Sequence, residues 1–154
     1  MNPVISRFRS EDVESAARVM LQFTQQQPPM DGLRKFLALD SHYFVAASME
    51  GSWAGWAYAY ELPRPDGQSM LFLYSIEVAA EYRRQGVATA MLSYLRRVAD
   101  EHRMKELFVI ANRSNVAAVA LYKATGGVVE GEDLCFVYST NGAASVGQKN
   151  ILRD

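Results

Sequence analysis

The chain has 154 residues, with 16 Lys+Arg against 17 Asp+Glu and a net charge of -1. At roughly 100–200 residues per domain this is one domain's length, and 49% hydrophobic against 21% charged residues is a globular composition, not a disordered one. The charge balance argues against a general nucleic-acid binder, and a single cysteine, Cys135, excludes an internal disulfide or a CxxC motif and fits a reducing, cytoplasmic compartment.

The first residues carry charges where a signal peptide needs an apolar core. Residues 4–8 (VISRF) alternate as a short strand. Ser10 stands at an N-cap position ahead of Glu11 and Asp12, and Val13, Ala16, Ala17, Met20, Leu21 and Phe23 follow at helical spacing. Pro28 and Pro29 end that helix, and Asp31 is placed to cap a short second one carrying Leu33, Phe36 and Leu37. The apolar stretch from Ser41 to Tyr60 is broken by Glu50-Gly51-Ser52, so it reads as a hairpin of 42–49 and 52–61, not as a membrane span. Trp53, Trp56, Tyr58 and Tyr60 on its second strand are core or dimer-contact residues. Residues 70–78 (MLFLYSIEV) form a strand apolar enough for the centre of a sheet.

A loop, Arg83-Arg84-Gln85-Gly86-Val87-Ala88-Thr89, follows and leads into a helix with Ala90, Met91, Tyr94, Leu95 and Val98 on one stripe. Residues 107–111 (LFVIA) form another buried strand, and Asn112 to Asn115 is a polar turn. The next helix runs to Thr125 and stops at Gly126-Gly127. Strands near 128–130 and 134–138 form a final hairpin around Gly131, and the segment 139–154 is a Gly/Ala/Ser/Asn-rich tail. The order predicts a single α/β domain over 1–138, with a mixed central sheet of about seven strands flanked by about four helices.

Strand, basic glycine loop and helix in succession form a phosphate-binding arrangement. The first N–H groups of a helix lack internal partners and carry partial positive charge. Gly86 permits close backbone approach, Ala88 stays small, Thr89 adds a hydroxyl, and Arg83 and Arg84 add charge. Taken alone, the loop is equally a surface turn with two solvated arginines. Neither GxxxxGK[ST] nor GxGxxG is present. His42 and His102 are isolated, with no spacing that supports a metal site.

Two motifs together resemble the GNAT superfamily of acetyl-CoA-dependent N-acetyltransferases. Arg83, Gly86 and Ala88 match [RQ]-x-x-G-x-[GA], and Asn115, Ala118, Leu121, Tyr122 and Gly126 match N-x-x-A-x-x-L-Y-x-x-x-G. Residues 60–92 and the AVALY segment at 118–122 further resemble type I aminoglycoside 3-N-acetyltransferases. The chain departs from that pattern at Ser75, where an Asp is usual, and at Tyr138, which stands near an Asp of the last strand.

The resemblance implies a GNAT fold, acetyl-CoA as cosubstrate without a metal, and an aminoglycoside acceptor modified at its 3-amino group. Pyrophosphate then sits on the backbone of residues 84–89 beside Arg83, which assigns Arg83, Arg84, Gln85, Gly86, Val87, Ala88 and Thr89 to the cofactor. The pantetheine arm pairs like a strand with Ile76 and Val78, and the Val78 N–H serves as oxyanion donor. Tyr122 is the general acid, Glu77 is the general base or substrate contact, and Asn115 bonds the pantetheine or caps its helix. Tyr138 borders the acceptor and orients or relays a proton. A cationic amine needs an acidic site, for which Glu132 and Asp133, with Glu130, Glu61 and Asp66, are the candidates. A homodimer is expected, with neither nucleic acid nor membrane as partner. Two alternatives stay open: an acetyltransferase for a polyamine, small amine or protein N-terminus, and a non-catalytic acyl-CoA-binding domain.

Overall fold

A computed structural model of the chain describes residues 1–141. It divides into two compact units, Met1–Val109 and a second beginning at Ile110. The first unit carries strands β1 (Val4–Phe8), β2 (His42–Met49), β3 (Ser52–Pro63), β4 (Ser69–Val78) and β5 (Leu107–Val109), and helices α1 (Val13–Thr24), α2 (Met30–Ala38) and α3 (Val87–Glu101). The second unit carries α4 (Val116–Ala124).

The strands lie in the order β1-β2-β3-β4-β5. The first four pair antiparallel, and β4 with β5 is parallel. This is a mixed α/β sheet of the expected class. Alternation in β3 explains how it is covered. Trp56, Tyr58 and Tyr60 point to one face, and Gly55, Ala57 and Ala59 to the other. The large side chains meet the face taken by α1 and α2, where Phe8, Val13, Ala16, Leu33, Leu37, Phe44 and Trp56 form a core cluster. The small ones let α3 approach, and its Val87, Met91, Leu92, Leu95 and Val98 are buried at helical spacing. Gly55 is required there. A Cβ on it would lie 2.8 Å from Met91 Cε and 2.9 Å from the Glu77 carbonyl oxygen. Burial of each large side chain stabilises the unit by about 1.5–3 kcal/mol.

Several boundaries differ from the sequence expectation. Ser10 opens a short 3-10 turn and is not the N-cap of α1. Asp12 occupies the position before that helix, its Oδ2 accepting the Arg9 N–H at 2.9 Å. α1 ends at Thr24, before the prolines, because Gln25 takes a left-handed conformation. α2 is preceded by extended Pro29, and Asp31 lies inside its first turn, paired with Arg34.

Among the described residues the sheet has five strands, where about seven are expected. Residues 128–138 form no strand, and their side chains are exposed. Alternation selects a face for a strand, but the strand exists only where a neighbour takes its N–H and C=O groups. Gly131, with φ at 66°, does turn the chain where a hairpin is expected. Of the tail, residues 142–154 lie outside the described residues.

Candidate active site

The end of β4 and the start of α3 are consecutive in the chain and close in the first unit. β5 pairs with β4 only through Leu71, Leu73 and the residue between them, Phe72. Beyond Leu73 no strand pairs with β4 on that side among the described residues. The Ala79 N–H donates to the Ala54 carbonyl at 2.9 Å, toward β3. By alternation the N–H and C=O groups of Val78 and Ile76 face away from β3. The Val78 carbonyl is met there by Arg83, whose Nε donates to it at 3.4 Å. β4 thus presents a short open edge of backbone groups.

The turn that follows tightens through two left-handed residues, Arg84 at φ 62° and Gly86 at φ 81°. Gly86 is the N-cap of α3, and the first bond inside the helix is the Ala90 N–H to the Gly86 carbonyl at 2.9 Å. The N–H groups of Val87, Ala88 and Thr89 therefore have no acceptor within the helix. Arg83, Arg84 and Gln85 are exposed, Val87 is buried, and Ala88 is half-buried. The Gln85 amide donates to the Glu81 carbonyl at 2.8 Å and holds the turn. Backbone donors, a helix N-terminus and two exposed guanidiniums together favour a phosphate-bearing ligand.

Glu77 owes its orientation to a β-bulge. Tyr58 pairs with Ser75, and Ala59 pairs with Leu73, so Tyr74 is an extra residue in β4. Strict alternation would set Ser75 and Glu77 opposite Phe72 and Tyr74. The bulge brings all four to one face. Tyr74 stacks on Tyr58 with centroids 5.0 Å apart, Phe72 stacks on Phe108 at 4.8 Å, and the Trp56 indole N–H donates to Glu77 Oε2 at 2.8 Å. Glu77 is half-buried at the margin of this aromatic face. Burial pushes the Tyr58 phenol strongly up, and Tyr74, Tyr60 and Glu77 add to the shift. From sequence, Trp56 and Tyr58 read as core or dimer-contact residues, and nothing marks them as neighbours of Glu77. The bulge leaves no sequence signal, while the spacing of Trp56, Tyr58 and Tyr60 is the signal that could have found the shared face.

In the second unit, Asn115 is the N-cap of α4, its Oδ1 accepting the Ala118 N–H at 3.1 Å. Tyr122 lies seven residues on, on the same side of the helix. Its carbonyl accepts the Gly127 N–H at 2.7 Å, and a Cβ on Gly127 would lie 2.8 Å from that oxygen. The Tyr122 phenol is half-buried, and burial pushes its pKa up, so it keeps its proton at neutral pH.

The remaining expected residues are less organised. Glu130, Glu132 and Asp133 are exposed around the Gly131 turn, and Tyr138 is exposed and on no strand. Glu61 accepts a bond from the Ser69 hydroxyl at 2.7 Å. Asp66 is ion-paired with Arg64 at 2.8 Å, which neutralises one of the acids expected to attract a cation. Among the described residues, no three of His, Cys, Asp and Glu come together as metal ligands, and no helix is long and apolar enough to cross a membrane.

Residues 10–126 match the model of the Acetyltransferase (GNAT) family. No curated protein matches the chain. Among solved structures, an aminoglycoside acetyltransferase, HMB0005, from an uncultured soil metagenomic sample superposes with a TM-score of 0.81 at 25% identity, over 91% of this chain and 99% of that one. AAC(6')-Iy, solved with the bisubstrate analog CoA-S-monomethyl-acetylneamine, gives 0.76 at 19%, over 91% and 99%. A ribosomal-protein-alanine N-acetyltransferase from Brucella melitensis biovar Abortus 2308 gives 0.71 at 19%, over 90% and 100%. At 19% identity the latter two show the fold alone.

Proposed function

We propose, from the premise that the chain belongs to the GNAT acetyltransferase family, that it transfers the acetyl group of acetyl-CoA to an amine of an aminoglycoside, at the 3-amino position, in the cytoplasm. One observation carries the reading. The open backbone edge at Ile76 and Val78 runs directly into the Arg83–Gly86 turn and the N-terminus of α3, while Glu77 between them faces the opposite, aromatic surface. One strand end thus offers an extended ligand-binding edge, an anion site and a carboxylate. The family match spans 10–126 and so supports reading 1–138 as a single domain.

In this reading Arg83, Arg84, Gln85 and the N–H groups of Gly86 to Thr89 hold the pyrophosphate. Ile76 and Val78 pair with the pantetheine amides, as an added strand would. The acceptor amine attacks the thioester carbonyl, a C–N bond forms, and the C–S bond breaks to release CoA. The Val78 N–H donates to the carbonyl oxygen as its charge develops. Glu77 takes the amine's proton, directly or through a water, and the Trp56 indole fixes one of its carboxylate oxygens. Tyr122 gives its proton to the leaving thiolate, a role that fits a phenol kept neutral by burial. Asn115 caps α4 and so orients Tyr122. Glu132, Asp133 and Tyr138 complete the acceptor side by binding its remaining ammonium groups.

The aminoglycoside acceptor is supported by the resemblance of residues 60–92 and by HMB0005. A protein N-terminus is the second reading, because the fold by itself does not fix the acceptor. The test measures CoA release from acetyl-CoA with gentamicin, sisomicin, a polyamine and an N-terminal alanine peptide, and locates the acetyl group by mass spectrometry and NMR. Turnover of gentamicin and sisomicin with acetylation at the 3-amino group is expected. Turnover of the peptide or polyamine alone would overturn the acceptor assignment and leave the family membership intact.

A further inference from the structure

Four rings of the first unit meet beside α2. The planes of Phe36 and Tyr58 stand at 85°, those of Phe36 and Tyr60 at 82°, and those of Tyr58 and Tyr60 at 83°. The three centroid distances are 6.2, 5.7 and 6.1 Å. Tyr74 of β4 lies against the same group, 25° from parallel to Tyr58 and 82° from Tyr60. Three rings at nearly right angles to one another make the corner of a box. Edge-to-face pairs are ordinary in a packed core. A core residue is covered, however, and Phe36, Tyr58, Tyr60 and Tyr74 are each only half-buried.

The charge of this face indicates what the corner holds. By alternation Arg7 and Glu61 project to the opposite face of the sheet. Glu77 is therefore the only carboxylate that the five strands bring to the aromatic face, and they bring no Lys or Arg to it. Burial pushes the Tyr58 and Tyr60 phenols up, so both meet a ligand as neutral rings. The face of a neutral ring attracts a cation through its quadrupole, and rings set at right angles can surround one. Trp56, which pairs with Glu77, is two residues from Tyr58 and four from Tyr60. At ~3.3 Å per residue the corner lies roughly 7–13 Å along the strand from the carboxylate.

We propose that Phe36, Tyr58 and Tyr60, with Tyr74 beside them, form an aromatic cage for a second ammonium group of the acceptor. The enzyme then selects amines that carry another cation roughly 7–13 Å from the reacting nitrogen. The inference rests on the reading of Glu77 as the group that meets the reacting amine. Aminoglycosides and linear polyamines both supply such a second cation, and a monoamine does not. Ring faces, not a carboxylate, hold this group.

The test measures binding to the full-length protein loaded with CoA, by calorimetry, with gentamicin, spermidine and cyclohexylamine as probes. CoA carries no acetyl group, so binding is read without turnover. Gentamicin, spermidine or both should bind, and cyclohexylamine should bind far more weakly. Tyr60→Leu should weaken the multivalent probe by about 3–30-fold and leave the affinity for CoA unaltered. Tyr60→Phe keeps the ring and should recover most of the loss. Four results would each overturn the cage: cyclohexylamine binding as well as the others, neither multivalent probe binding, wild-type affinity in Tyr60→Leu, or equal losses in Tyr60→Leu and Tyr60→Phe. If Tyr60→Leu does not fold, the ultraviolet difference spectrum of the wild type decides. The multivalent probe should perturb the tyrosine bands, and an unperturbed spectrum overturns the cage. The acceptor assignment is tested apart from this. Acetylation of gentamicin at its 3-amino group with no effect of Tyr60→Leu keeps that assignment and removes the cage, while a ring-dependent affinity for spermidine alone does the reverse.

Discussion

Trp56 and Glu77 face each other across β3 and β4, joined by an indole N–H to carboxylate bond of 2.8 Å. The pair sits on the aromatic face only because Tyr74 is the extra residue of a bulge. Without it, Glu77 would point toward α3, where Gly55 and Met91 already pack tightly. The bond spans two neighbouring strands and ties the carboxylate to a buried ring, so Glu77 is held in place before any substrate arrives.

Glu77→Gln keeps an acceptor for the Trp56 indole and removes the base. We expect kcat at neutral pH to fall by about 10²–10⁴-fold with little change in melting temperature. Activity should recover as the pH is raised and the acceptor amine deprotonates in solution. Steady-state assays from neutral to alkaline pH check this, and an unchanged kcat would remove Glu77 from the mechanism.

Trp56→Phe keeps most of the buried ring and deletes the donor. It should cost about 1–3 kcal/mol of stability and lower kcat more than it alters the KM for acetyl-CoA, because the phosphate site lies on other residues. Denaturant unfolding and initial rates measure the two effects separately. A loss confined to the KM for acetyl-CoA would contradict the placement.

Gly55→Ala inserts a methyl 2.8 Å from Met91 and 3.0 Å from Val87 Cγ1, at the first turns of α3. Overpacking of this kind costs about 1–3 kcal/mol. The Met91 methyl can swing aside, but the Glu77 carbonyl oxygen at 2.9 Å is backbone, so β4 must shift at Glu77, and the KM for acetyl-CoA should rise. Thermal melting and acetyl-CoA titration by calorimetry test the prediction together. A variant as stable as wild type would show that the contact relaxes freely.

The phenols of Tyr43, Tyr58, Tyr60 and Tyr122 are all pushed up, in each case chiefly by burial. The folded chain therefore holds these protons more tightly than the unfolded chain, where a phenol titrates near ~10. Their contribution to stability is full below that pH and is lost as the pH climbs through the raised folded values. The melting temperature should lose this contribution only above pH ~10, while ultraviolet titration of the folded chain shows tyrosines ionising late. Tyrosines that all ionise at the ordinary value would overturn this.

Much of the first unit was legible along the chain. The small-large alternation from Gly55 to Tyr60 specifies β3 and both of its coverings, since a strand's period of two assigns each residue a face. Glu50-Gly51 marks the turn of the hairpin, with both residues at positive φ. The unbonded N–H groups at the start of α3 were legible in the Arg83–Thr89 loop, because a helix start exposes them whatever surrounds it. Tyr74 was not, because a bulge is a property of two strands in register and reverses alternation only once they pair. The Arg64–Asp66 ion pair is hidden from the sequence for a similar reason: it depends on the fold of the loop that holds both.

Local pattern by itself therefore determined the element order as far as α4, the glycine turn before α3 and the cap at Asn115, all of which depend on residues within a few positions of one another. Tertiary structure alone decided that Glu77 shares a face with Trp56 and Tyr58, and that among the described residues no strand pairs with β4 beside Ile76 and Val78. These depend on which strands meet and where they stop, and pairing joins residues that sequence spacing does not relate.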